Sequence, residues 1–205
     1  MAFSYMNFMK HAQKVVKTAS KGRPMLKGVY HAPDGSLYVT DSYRLYVARN
    51  VHAGGSESIV NPKTGEKIEG NFPNCERLLP DPTDALFTLK LPTKKSLDAF
   101  NALFKAGQVE GKGHDAVSVQ EGEKNQVIFK AKNQTMEATY NAGEAVGQIG
   151  GLTFDATFVI DALKMFHDAG FLEVEMRYYN EYRPFTLSAG LNDELLALIT
   201  PIRVK

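Results

Sequence analysis

A chain of 205 residues with 43% hydrophobic residues can bury one or two substantial cores, and a net charge of +1 gives composition no bias toward a polyanion. One cysteine, Cys75, excludes a disulfide framework within the chain and fits a reducing compartment. No apolar run reaches the roughly 18 residues of a membrane span, and the opening residues lack the basic-then-apolar order of a signal peptide, so a cytoplasmic protein with no membrane partner is expected.

The first segment reads as a helix. Met9, Ala12, Val15, Val16 and Ala19 recur at helical spacing, while Lys10, Lys14, Lys17 and Lys21 line another face. Gly22 and Pro24 end it. Strands are expected over Met25–Ala32, Ser36–Thr40 and Arg44–Val51, with the turn Pro33-Asp34-Gly35 between the first two. A short hairpin fits Asn61–Gly65. Asn71–Thr83, with Pro73, Pro80 and Pro82, reads as a linker.

Beyond it, Phe87–Leu91 is a strand and Pro92-Thr93 opens a helix that Gly107 ends. Three strands follow near Asp115–Gln120, Gln126–Ala131 and Gln134–Tyr140. The order then recurs: a strand at Leu152–Phe154, a helix over Asp155–Asp168, and strands over Phe171–Tyr178, Tyr182–Ser188 and Glu194–Val204. The implied class is α+β, built from repeated strand-helix-three-strand units with helices on one sheet face. Residues 1–70 form a further unit lacking its first strand, 71–83 a linker, and 84–205 a complete domain of two units. Half a domain's sheet leaves a strand edge unpaired.

Charge is uneven along the chain. The first 70 residues hold ten Lys and Arg against five Asp and Glu, the rest fourteen against eighteen. A basic first third points to a polyanion partner, or to nothing beyond a solvated surface. None of His11, His31, His52, His114 and His167 has a metal-like spacing, so no metal and no cofactor are expected. Cys75 lacks a nucleophile motif, and there is no phosphate-binding glycine loop or nucleophile elbow. Glu173 and Glu175 are paired carboxylates on a strand, for which solvation is the simpler account. With no catalytic constellation, the chain is not expected to be an enzyme.

Three stretches carry a resemblance. Arg23-Pro24-Met25-Leu26-Lys27-Gly28-Val29 runs on to Val39-Thr40-Asp41-Ser42-Tyr43-Arg44-Leu45. Phe72-Pro73-Asn74-Cys75-Glu76-Arg77-Leu78-Leu79-Pro80 occupies the linker. Ala197-Leu198-Ile199-Thr200-Pro201-Ile202-Arg203-Val204 closes the sequence, preceded by Phe158-Val159-Ile160-Asp161-Ala162-Leu163 and Tyr182-Arg183-Pro184-Phe185. In order and spacing these resemble the bacterial sliding clamp, the beta subunit of DNA polymerase III, shortened to little more than its last half. The implied protein is of phage or mobile-element type. Ser42 and Tyr43 stand where the family has Gly and His, and Thr200 where it has Met.

The resemblance implies a DNA-clamp fold and a processivity factor that surrounds or tracks duplex DNA. Lys10, Lys14, Lys17, Lys21, Lys94 and Lys105 would contact phosphate without reading bases; Lys164, beside Asp161 and Asp168, reads better as solvated. It implies a peptide groove of Leu26, Thr40, Arg44, Leu45, Pro73, Arg77, Leu78, Leu198, Thr200 and Ile202, with core packing the competing account of Leu45 and Leu198. Partners would be DNA polymerase or other proteins carrying a clamp-binding motif, with a clamp loader where one is needed. Copies would assemble as a homo-oligomer, two half-domains pairing about a two-fold so that four chains supply six domain equivalents. The alternative is an adaptor that uses the groove without encircling DNA.

Overall fold

The computed structural model describes residues 4–111 and 115–203, and His114 and Val204 lie outside them. Helix α1 spans Tyr5–Thr18. Ser4 caps it, its side chain accepting from the Asn7 N–H at 3.2 Å. Phe8, Met9, Ala12 and Val15 bury one face, which leaves Lys10, Lys14 and Lys17 in solvent. At its far end the Lys27 ammonium donates to the free carbonyls of Val16 and Ala19. The strand expected over Met25–Ala32 is shorter than its apolar run, because Pro24 starts a 3-10 turn over Pro24–Lys27. Strand β1 then covers Val29–His31, β2 Leu37–Thr40, β3 Arg44–Ala48 and β4 Ser58–Val60.

The complete domain holds both expected rounds. Strand β5 (Phe87–Pro92) and helix α2 (Thr93–Gly107) precede β6 (Ala116–Glu121), β7 (Gln126–Lys132), β8 (Glu137–Glu144) and the short β9 (Val146–Gly147). Strand β10 (Leu152–Asp155) and helix α3 (Ala156–Asp168) precede β11 (Glu173–Tyr178), β12 (Phe185–Ala189) and β13 (Leu195–Ile199). Asp155 caps α3 through the Thr157 N–H at 2.8 Å. Two expected strands are trimmed. Asn180 folds Tyr182 and Arg183 into a turn ahead of β12, and Pro201, without an N–H, cannot extend the ladder beyond β13.

The units exchange their first strands. β5 joins β11–β13, and β10 joins β6–β8. Gly147, at φ +109, lets the main chain cross from β8 to the edge of β5; a Cβ there would sit 2.1 Å from the Leu86 carbonyl oxygen. The four-stranded sheet runs β10-β6-β7-β8, and the nine-stranded sheet runs β4-β1-β2-β3-β13-β12-β11-β5-β9. Every pairing is antiparallel. The three helices cover one side of the sheets, over a core that includes Phe8, Tyr46, Phe100, Phe129, Phe154, Phe166 and Phe185. A second core of Ala32, Tyr38, Leu45, Val47, Cys75, Leu196 and Leu198 lies on the other side, with Phe72 and Leu79 of the 71–83 segment packed on it.

The unpaired edge that the half sheet suggests is moved to the three-residue β4. β3 pairs with β13, and β4 folds back to pair with β1. In that position β4 does what the exchanged first strand does in each complete unit. The return hairpin holds itself together through Gly65 N–H to Asn61 O at 2.9 Å and Ile68 N–H to Ile59 O at 2.8 Å. A Cβ at Gly28 would lie 2.5 Å from Ile59 Cγ2, so β4 sits closer to this glycine than any side chain allows. Gly28→Ala should therefore destabilise the fold by about 1–3 kcal/mol through overpacking, read as a lower urea midpoint with an unchanged slope. Equal midpoints would show that β4 does not pack there in solution.

Candidate nucleic-acid interface and docking groove

The pairing of β3 with β13 brings α1 alongside α3, and α3 packs on α2, so the three helices form one layer. They carry seven lysines (Lys10, Lys14, Lys17, Lys94, Lys95, Lys105 and Lys164), all solvent-exposed, against the three aspartates Asp98, Asp161 and Asp168. The rest of the chain holds seventeen basic against twenty acidic side chains, so the helix side is the positive one.

The six sequence-predicted lysines divide into two kinds. Lys10 pairs with Asp168 at 3.1 Å, Lys14 with Asp161, and Lys94 with Asp98 at 2.6 Å. Lys17, Lys21 and Lys105 have no ion pair among the described residues. Exposed pairs of this kind contribute about 0–1 kcal/mol, so these carboxylates hold the paired ammoniums only weakly. Lys95 is a lysine that sequence reading passed over; the helical phase of α2 would have placed it beside Lys94.

The junction between α1 and α3 is denser. His11 is buried, with Nε2 3.1 Å from Asp168 Oδ2, and burial lowers its pKa against the pull of that carboxylate. Arg44 is the centre of the junction. Its Nε donates to Asp41 at 3.1 Å, its Nη1 to Asp161 at 2.9 Å, and its guanidinium lies 4.7 Å from the Phe158 ring centre. Asp41 also accepts from Thr18 Oγ1 at 2.6 Å and from the N–H groups of Tyr43 and Arg44.

Sequence reading places Arg44 in the groove; its side chain lies on the helix side of β3, away from Leu45 and Leu198. Side chains alternate along β3, so Leu45 and Val47 face the second core while Arg44 and Tyr46 face the helices. The other nine scatter. Leu26 is buried in its 3-10 turn. Thr40, Leu45 and Leu198 lie in one cross-strand row on the outer face, but Leu45 and Leu198 are buried in the second core. The Thr40 hydroxyl donates to the Arg44 carbonyl at 2.7 Å. Pro73, Arg77 and Leu78 are exposed on the segment that crosses this face, Leu78 by 57%. Thr200 directs both its N–H and its hydroxyl to the Tyr43 carbonyl, each at 2.9 Å. Ile202 lies apart, lining a cleft of about 240 Å³ with Thr153 and Tyr182.

Cys75 is buried beneath the same segment, and burial pushes its thiol up to about 12. That makes it a core side chain with no nucleophilic character. Among the described residues no group of three or more His, Cys, Asp or Glu is arranged to hold a metal ion, and no helix is long and apolar enough to cross a membrane.

The backbone arrangement is matched by solved structures. DNA polymerase III beta chain from Streptococcus pneumoniae superposes with a TM-score of 0.80 at 18% identity, over 97% of this chain and 63% of that one. The sliding clamp of Bacillus subtilis gives 0.80 at 17% identity, over 98% and 63%. The fold is that of the bacterial sliding clamp. In sequence the chain is 24% identical over 138 residues to a beta sliding clamp of Streptococcus pneumoniae and 26% identical over 142 residues to one of Staphylococcus epidermidis. Each match spans 66% of this chain but only 35% of the relative, so the chain resembles about a third of a clamp subunit in sequence. No family model matches it.

The clamp fold here depends on Arg44 as a buried link between its two parts. Arg44→Met should cost about 3–5 kcal/mol, because it leaves Asp41, whose side chain has no exposed surface, without its cation. Chemical denaturation checks this. A loss under 1 kcal/mol would show that Asp41 does not depend on Arg44 in solution.

Proposed function

We propose that this chain is a clamp-like processivity factor that rides duplex DNA on its helix layer and tethers DNA polymerase or another replication protein on its outer face. The observation that carries the reading is the placement of seven exposed lysines on three adjoining helices of a clamp fold, with the acidic excess elsewhere. Lysine contacts to phosphate are numerous, individually weak and indifferent to sequence, which is what movement along a duplex requires. Docking would use the outer face beside Thr40 and Thr200, where exposed Tyr43 and Leu78 offer apolar contact and Arg77 a charge.

The test combines assembly with topology. Light scattering after size exclusion, at two salt concentrations, reads the solution mass. Retention on nicked circular against linear plasmid reads encirclement. A salt-resistant oligomer that stays on circles and runs off linear ends supports the clamp reading.

The adaptor reading also has an observation behind it. With β1 covered by β4 and β3 by β13, the outer strand that the first unit offers a second half-domain is the three-residue β4, itself partly covered by its return segment. A monomer that binds a clamp-binding peptide but shows equal, weak retention on circles and linear DNA would make the protein an adaptor.

A further inference from the structure

The return hairpin that follows β4 does more than close the first sheet. It stands beside α1 on the flank away from α3, where Gln13 Nε2 donates to the Pro62 carbonyl at 3.2 Å. Between helix and hairpin lies a cleft of about 500 Å³. Lys10, Lys14 and Lys17 line it from the helix, Lys27 from below, and Lys63 from the hairpin; no carboxylate lines it. Three of the five ammoniums are committed. Lys27 is held by the last carbonyls of α1, Lys10 by Asp168 and Lys14 by Asp161. Lys17 and Lys63, on opposite walls, have no ion pair among the described residues.

We propose that this cleft is a phosphate-binding site in which Lys17 and Lys63 hold a backbone phosphate of nucleic acid from two sides. Two facing ammoniums on separate elements differ physically from a stripe along one helix. An anion seated in the cleft can meet an ammonium from each element at once. The floor is formed by Val16 and the aliphatic lysine stems, which shed water more readily than a charged surface does. Lys14 sits on the rim and can exchange Asp161 for the same anion. The ligand class is therefore a phosphodiester of the strand that lies along the helix layer. The inference rests on the proposed DNA reading and adds a contact supplied by a hairpin, outside the helices.

The test is fluorescence anisotropy of the full chain with a labelled 20-bp duplex across a salt series. Lys17→Gln and Lys63→Gln should each weaken binding and lower the slope of log affinity against log salt by roughly 0.9. Lys63→Arg should restore both. Lys124→Gln, on the turn between β6 and β7, should leave the slope unchanged, and thermal unfolding controls for folding. If Lys63→Gln binds like the parent while Lys105→Gln weakens binding, the cleft is not a phosphate site and the helix layer keeps its role. If the parent fails to bind duplex at low salt, both readings fall.

Discussion

The five-residue ladder between β3 and β13 is the constraint on which the rest of the molecule depends. It joins Leu195–Ile199 to Arg44–Ala48 and makes one sheet out of two units. Register decides everything downstream, because a slip of one residue would turn every side chain of β3 to the opposite face. In the observed register Leu45 stands opposite Leu198, and both close the outer core with Cys75. Arg44 then points under α3, where Asp161 meets it and Asp41 completes its coordination. The ion network is a consequence of the ladder, and it in turn fixes α1 beside α3. Without that placement Lys10 and Lys14 would belong to a separate surface, and no continuous basic layer would exist.

The first unit completes its sheet with its own material, where the two units of the second domain exchange strands. In the second domain each unit receives the first strand of its neighbour, as β11 receives β5 and β6 receives β10. Here β4 takes the corresponding place at β1, and Pro62 lies against α1 where a second helix is absent. This arrangement covers polar main chain that would otherwise template aggregation. It also changes the assembly problem. The remaining long edge among the described strands is β8, eight residues with glutamates at both ends.

Much of this was legible in the sequence. Helices α1, α2 and α3 announce themselves through apolar residues at helical spacing between capping and terminating residues. The doubled strand-helix-three-strand order follows from alternation and turn residues. What was hidden depends on contacts between distant positions. Nothing near Arg44 tells which face of β3 it takes; the answer lies with Leu198 and Asp161, more than a hundred residues on. Strand β4 is three residues in a glycine-rich, polar stretch, and its pairing comes from Val29–His31 rather than from its own pattern. The 71–83 segment reads as a linker by its prolines, yet Cys75 and Leu79 bind it to the outer core. Of the groove carried over from the clamp family, local sequence supplied the chemistry of each residue but not its exposure.

The aspartates within the helix layer explain why a basic surface on this chain need not be a tight one. Lys10, Lys14 and Lys94 each have a carboxylate within reach, on α3 for the first two and on α2 for the third. An exposed pair of this kind is held by about 0–1 kcal/mol, so a phosphate arriving at the lysine displaces the aspartate at little cost and gains little in return. Lys17, Lys21 and Lys105 offer the phosphate the full interaction. Under the proposed DNA reading, a surface that alternates committed and open lysines would flatten the energy differences between successive positions along a duplex while keeping net positive charge. On the proposed reading the open lysines would set how firmly DNA is held, and the paired ones how freely it moves.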